Sequence, residues 1–131
     1  SFIFMADFFF VFTISCEIDF MCAKSYYAGK ESSGVVKITM DLAHDIKDYH
    51  VVIVEDIVDT GRTLTDIIKL LQTREPLSIK VVSLLDKPSR RLVDFQPDKA
   101  LFTIPDFFVI GYGLDFDEQY RELPYIAEYG E

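Results

Sequence analysis

The chain has 131 residues, room for one compact domain and not comfortably for two. Thirteen Lys and Arg against 22 Asp and Glu give a formal net charge of −9, which argues against a nucleic-acid binder and against a basic face held on anionic lipid. Half of the residues are hydrophobic, enough for a core. The two cysteines, Cys16 and Cys22, make no disulfide framework and read as reduced, packed thiols of a cytosolic protein.

Residues 1–16 carry Asp7 as their only charged side chain. They lack the basic start and small-residue cleavage site of a secretory signal. Asp7 also interrupts the run of about 20 apolar residues that a membrane span needs. Two readings stay open: a buried helix leading into a strand, or the cut edge of a longer protein. Phe8-Phe9-Phe10-Val11-Phe12 shows no polar face, so it is either covered on all sides or adhesive. Residues 17–22 alternate, with Ile18, Phe20 and Cys22 opposite Glu17, Asp19 and Met21, which predicts a strand. Residues 25–34 are polar and Gly/Ser-rich, a mobile loop or the turn of a long hairpin, and 35–40 form the returning strand. Residues 41–50 are a polar connection with room for one helical turn.

Val51-Val52-Ile53-Val54 is a β-branched run without alternation, the pattern of a central parallel strand buried on both faces. Leu64, Ile67, Ile68 and Leu71 make one helical stripe, predicting a helix over 63–73 that Glu75-Pro76 ends. Residues 79–85 are a second buried strand and complete a right-handed βαβ unit. A polar loop follows over 86–99. Short strands are expected at 100–104 and 107–112, around Pro105-Asp106, and the tail from 114 is acidic and rich in Tyr. No repeat, low-complexity tract or linker interrupts the chain, which reads as one α/β domain.

The segment Glu55-Asp56-Ile57-Val58-Asp59-Thr60-Gly61-Arg62-Thr63 joins the C-terminal end of the first buried strand to a helix start. Open α/β sheets bind ligands there. A helix start offers N–H groups and partial positive charge to a phosphate. Gly61 lets the backbone approach it, Thr60 and Thr63 cap the helix or donate hydroxyls, and Arg62 adds a cation. Glu55 and Asp56 would repel that phosphate, so they call for a sugar diol or Mg²⁺. Asp59 stands apart, placed as a base or charge stabiliser near a reactive carbon. Carboxylates beside a helix start also serve simply as dipole partners. A cap needs one of them, and here there are three.

VVIVEDIVDTGRT at 51–63 resembles the phosphoribosyl-pyrophosphate loop of type I phosphoribosyltransferases. The wider chain is similar to the hypoxanthine-guanine phosphoribosyltransferases, through SFIFMAD, EIDFM, SSGVVKI, SLLDKPSRR, FFVIGYGLD and YRELPYI in the family's order. The resemblance implies a mostly parallel sheet flanked by helices, with a flexible hairpin over the active site. It implies a cytoplasmic, homo-oligomeric, Mg²⁺-dependent enzyme of purine salvage. Such enzymes couple a 6-oxopurine to 5-phosphoribosyl-1-pyrophosphate, giving a purine nucleotide and pyrophosphate. By the same resemblance, Glu55 and Asp56 hold the ribose hydroxyls with the help of Mg²⁺. Asp59 takes the proton from purine N7, and residues 59–63 hold the 5′-phosphate. Lys87 matches the lysine that recognises purine O6, and Phe108 the aromatic that stacks on the base. Val109 matches the residue whose backbone meets the base edge, Asp115 the acid that binds a second Mg²⁺, and Arg121 the arginine that reaches pyrophosphate. Ser25 and Tyr26 match the Ser-Tyr of the closing loop.

Without the resemblance, Lys87, Asp115 and Arg121 read as solvated charges, and Phe108 and Val109 as core. Relatives carry a further βα-sized segment ahead of residue 1, with a central strand and a Leu-Lys-Gly loop that binds pyrophosphate. Two other readings stand beside the enzyme. One is a truncated or degenerate relative that binds nucleotide or only oligomerises. The other is an aspartyl-phosphate domain, for which the Asp56–Asp59 spacing is off by one.

Overall fold

A computed structural model describes residues 1–26 and 35–130. In chain order the elements are helix α1 (Phe2–Phe9), strands β1 (Cys22–Tyr26), β2 (Val35–Met40) and β3 (His50–Val58), helix α2 (Arg62–Gln72), strand β4 (Ser78–Asp86), a 3-10 turn at Pro88–Arg90, and strands β5 (Lys99–Thr103), β6 (Val109–Ile110) and β7 (Ala127–Glu128).

β4 is the middle strand of a parallel sheet, with β3 on one side and β5 on the other. That position explains its burial: Val81, Ser83, Leu84, Leu85 and Asp86 are all shielded from solvent. Ser83 is tolerated at full burial because its hydroxyl donates to the Leu85 carbonyl at 2.6 Å. Neighbouring strand residues point to opposite faces. Val81 packs with Val58 and with Leu64 of α2, whereas Val82 packs in the cluster of Phe4 of α1, Leu84 and Val109. The two helices therefore cover opposite faces of the sheet. The stripe of α2 behaves as its spacing predicts, with Leu64 and Leu71 buried. It ends at Gln72, tightens into i to i−3 bonds through Glu75, and turns away there, where Glu75 adopts a positive φ before Pro76.

β1 and β2 form an antiparallel hairpin, as expected. Ser25 and Tyr26, expected in the loop, have their backbones in β1, paired with Val36 and Val35. Residues 27–34 of the expected loop lie outside the described residues. The strand expected over 17–22 is a correction. Only Cys22 enters a strand. Residues 17–21 make no ladder among the described residues, and Asp19 ties them instead to the amides of Ala43 and His44. β3 also differs from expectation. It runs four residues beyond Val54, through Val58, and it stands at the edge of the three-stranded sheet, where Val52 is 45% exposed. The doubly covered strand is β4. At the front, α1 buries Phe4 and packs Phe8 against the core but leaves Phe10 and Val11 exposed just beyond its end, so the Phe-rich run is not covered on all sides. Cys16 and Cys22 are free and exposed, not packed. No helix among the described residues is long and apolar enough to cross a membrane.

The acidic tail folds back on β6. Gly111 and Leu114 exchange backbone bonds, the Tyr112 amide reaches the Leu123 carbonyl at 2.8 Å, and the Tyr129 amide reaches the Phe108 carbonyl at 2.7 Å. Gly111 permits this closeness. Its φ is +90, and a Cβ there would stand 2.0 Å from the Tyr125 carbonyl oxygen. Gly111→Ala combines backbone strain with a clash against main chain that cannot yield. It is expected to cost about 3 kcal/mol or more, read as a lowered denaturation midpoint; an unchanged midpoint contradicts this packing.

Candidate active site

Parallel register brings Val58, Asp86 and Thr103 side by side at the C-terminal ends of β3, β4 and β5. This is the end at which α/β sheets bind ligands. The segments that leave it are laced together. Lys87 N–H donates to the Val58 carbonyl at 2.9 Å, Ile104 N–H to Asp86 O at 2.9 Å, and Leu92 N–H to Thr60 O at 3.0 Å. Arg90 pairs with the Asp59 carboxylate at 3.0 Å and with Asp106 at 3.6 Å. Arg91 donates to the Asp59 carbonyl at 2.7 Å and pairs with Asp86.

Gly61 is the N-cap of α2, with φ +82 and no side-chain cap bond. A Cβ there would meet Arg91 Cδ and Val93 Cγ2 at 3.1 Å, so the turn is pressed against the loop after β4. The Thr65 hydroxyl and amide both return to the Gly61 carbonyl, at 2.7 and 3.0 Å. Thr60 Oγ1 receives the Arg62 amide at 3.4 Å, a long bond. Such a helix start presents its N–H groups and dipole to an anion.

The three expected carboxylates sit in three different settings. Glu55 and Asp56 lie on β3 itself and not in the loop, because the ladder with β4 continues past them. Glu55 lines a cavity of about 250 Å³ beside β3. Burial, then the nearby Asp56 charge, push its carboxyl up to about 7. Asp56 is partly exposed; its Oδ1 accepts from the Ile57 amide at 2.8 Å, and the Ser1 amino group lies 3.3 Å away. Asp59, the only one of the three in the loop, is half-exposed on Arg90.

Lys87 is 6% exposed and makes no ion pair among the described residues. Phe108 is half-exposed, packed edge-on against Phe116 and Tyr129 and not in the core. Val109 has a buried side chain. The Tyr129–Phe108 bond makes that pair a hydrogen-bonded one, so the antiparallel alternation turns the amide and carbonyl of Val109 away from β7. Asp115 receives the Glu118 amide at 2.9 Å and lies 3.4 Å from Arg121. Arg121 also bonds the Gly113 carbonyl and Glu118, and Glu118 first, then the Asp115 charge, hold its guanidinium above the ordinary value.

The structure thus joins Asp59 and Thr60 to the segment that carries Lys87, through Arg90, Arg91 and Leu92, and joins Asp115 with Arg121. It does not gather Glu55, Asp56 and Asp115 into a metal-holding group; none of three or more such side chains occurs among the described residues. Side chains of Ser25 and Tyr26 lie outside the described part. Sequence reasoning missed Asp86, Arg90 and Arg91. The signal was an acid and two arginines flanking Lys87 in a loop that faces another acidic loop.

Residues 3–117 match the phosphoribosyl transferase domain family. The chain belongs to that family. It is 51% identical over 111 residues to a hypoxanthine-guanine phosphoribosyltransferase of Streptococcus pneumoniae, covering 85% of this chain and 62% of that one. It is 48% identical over 128 residues to a hypoxanthine phosphoribosyltransferase of Escherichia coli, covering 98% and 72%. A crystal structure of a hypoxanthine phosphoribosyltransferase from Staphylococcus aureus matches at a TM-score of 0.95 and 46% identity, over 99% of this chain and 71% of that one. The type I phosphoribosyltransferase fold expected from the sequence is the fold observed, and the relatives are of the hypoxanthine-guanine kind. The chain spans less than two thirds of the length of the pneumococcal relative.

Glu55 gives a pH test. Its ordinary value is 4.5, and in the fold it ionises near 7. The neutral form supports the fold fully below about pH 4.5, and that support is lost as pH rises through 7. Stability is expected to fall by up to about 3 kcal/mol across this window. Glu55→Gln should flatten the slope and be the more stable protein at pH 8, as urea titrations at the two pH values will show. A slope that survives the substitution would assign it to another group.

Proposed function

We propose that this chain performs purine-salvage phosphoribosyl transfer. The N9 of a 6-oxopurine attacks C1 of 5-phosphoribosyl-1-pyrophosphate, the C1–O bond to pyrophosphate breaks, and the N7 proton passes to Asp59. The observation that carries the reading is the turn at 59–63. It sets a helix start, two threonines and an aspartate on Arg90 at the open end of the sheet. Phosphate suits the helix start, and residues 59–63 hold it there. Positive charge that builds on the ribose ring finds Asp56 and Asp59 at hand.

Lys87 supports the base class. Lys87, a residue only 6% exposed and without an ion-pair partner among the described residues, has an ammonium to offer an acceptor, and a purine O6 is one; the amino group of adenine would set donor against donor. Phe108, exposed at the tail, offers its face to the base, and the Val109 backbone its edge groups. Arg121 suits the pyrophosphate. The carboxylates fit Mg²⁺ as partly exposed single oxygen donors and not as an all-protein cage, which is how that ion binds beside phosphates. Asp56 would hold one such ion and Asp115 a second, and when bound the metal supplies charge neutralisation of the departing pyrophosphate. Glu55 keeps its proton up to about pH 7, so it is better matched to a ribose hydroxyl than to a cation. The free cysteines suit the cytoplasm, and exposed Leu101 and Phe102 suit a homo-oligomer.

The test is formation of IMP or GMP from hypoxanthine or guanine, 5-phosphoribosyl-1-pyrophosphate and Mg²⁺ by the protein expressed from its natural reading frame. Asp59→Asn is expected to lower kcat by about 10²- to 10⁴-fold with calorimetric GMP binding retained. GMP binding without turnover by the native protein would make the chain a nucleotide binder, and neither binding nor turnover would remove the reading.

A further inference from the structure

We propose that Arg91 is a positioning residue for the sugar-phosphate loop, fixing the Asp59 carbonyl from inside the protein with Asp86 as its counter-ion. The inference deepens the transfer reading and rests on it.

The arginine is sunk beneath the turn. Its side chain is 9% exposed, that of Asp86 is 7%, and their oxygen and nitrogen are 2.5 Å apart. The other terminal nitrogen donates to the Asp59 carbonyl at 2.7 Å. One planar guanidinium can serve both acceptors at once; a lysine has no such fork. Its Cζ lies 5.9 Å from the Phe95 ring centroid, and its Cδ is 3.1 Å from where a Gly61 Cβ would stand. The stem therefore occupies the space that a side chain at 61 would take.

Stability alone is a weak reason for this arrangement. Taking two charges out of water is costly, and an apolar pair of the same volume often packs as well. The arrangement even leaves Nε buried without a partner. What it does achieve is a fixed main chain at the residue before the cradle. Two consecutive arginines divide Asp59 between them. Arg90, half-exposed, takes the carboxylate and is open to displacement by an incoming ligand. Arg91, buried, takes the carbonyl and is not. The carboxylate is left to move while the backbone that leads into residues 60–63 is held.

The test compares native protein, Arg91→Lys and Asp86→Asn, each expressed from its natural reading frame, with the two substrates varied separately. Both variants are expected to raise KM for 5-phosphoribosyl-1-pyrophosphate by about 10- to 100-fold and to leave KM for hypoxanthine unchanged. GMP affinity should fall with it and guanosine affinity should not. An unchanged KM for the sugar pyrophosphate, or a loss of kcat that merely follows a lowered Tm, overturns the proposal. Loss of the fold in both variants assigns the pair to stability and overturns it too. A native protein that turns over no purine instead defeats the transfer reading itself.

Discussion

Gly61 turns the chain from β3 into α2 at φ +82, with Arg91 and Val93 crowding the place of a missing Cβ. A positive φ and so close a neighbour both favour a residue without a side chain there. The turn points the start of α2 toward the open end of the sheet, where the segments after β4 and β5 also arrive. Lys87 N–H on Val58 and Leu92 N–H on Thr60 lock the two loops together, so the turn and Lys87 are held as one unit.

Cations stand among acids at this mouth. Lys87, Arg90 and Arg91 meet Asp59, Asp86 and Asp106 around the ends of the strands. Each arginine is matched to a carboxylate. An incoming anion therefore competes for cations already in place, and an incoming sugar meets acids that it can engage by hydroxyls. Glu55 and Asp56 are partly exposed neighbours on β3, and desolvation together with the charge of Asp56 raises the proton affinity of Glu55.

Much of this was legible in the sequence because it is periodic or locally dense. The stripe at Leu64, Ile67, Ile68 and Leu71 gave α2, the run at 51–54 and that at 79–85 gave the parallel pair, and the acid-rich turn marked the site. What escaped depends on partners distant in the chain. Residues 17–22 alternate like a strand, but alternation supplies no neighbour, and Asp19 found loop amides instead. Val51 to Val54 looked central, yet centrality is a matter of which strands flank it, and β4 took that place. Glu55 and Asp56 looked like loop residues, since carboxylates are uncommon in strands, and the ladder with β4 runs on through them. Asp86 ends β4 and Arg91 lies five residues on, and no period announces that the two pair beneath Asp59.

The central claim is that residues 60–63 form an anion cradle at the start of α2. Amide chemical shifts of the labelled protein, followed while ribose 5-phosphate is added, test it most directly. The cradle requires saturable shifts concentrated at Thr60, Gly61, Arg62 and Thr63, absent when ribose replaces its phosphate ester. Amides at 60–63 that stay still while shifts appear elsewhere would contradict it.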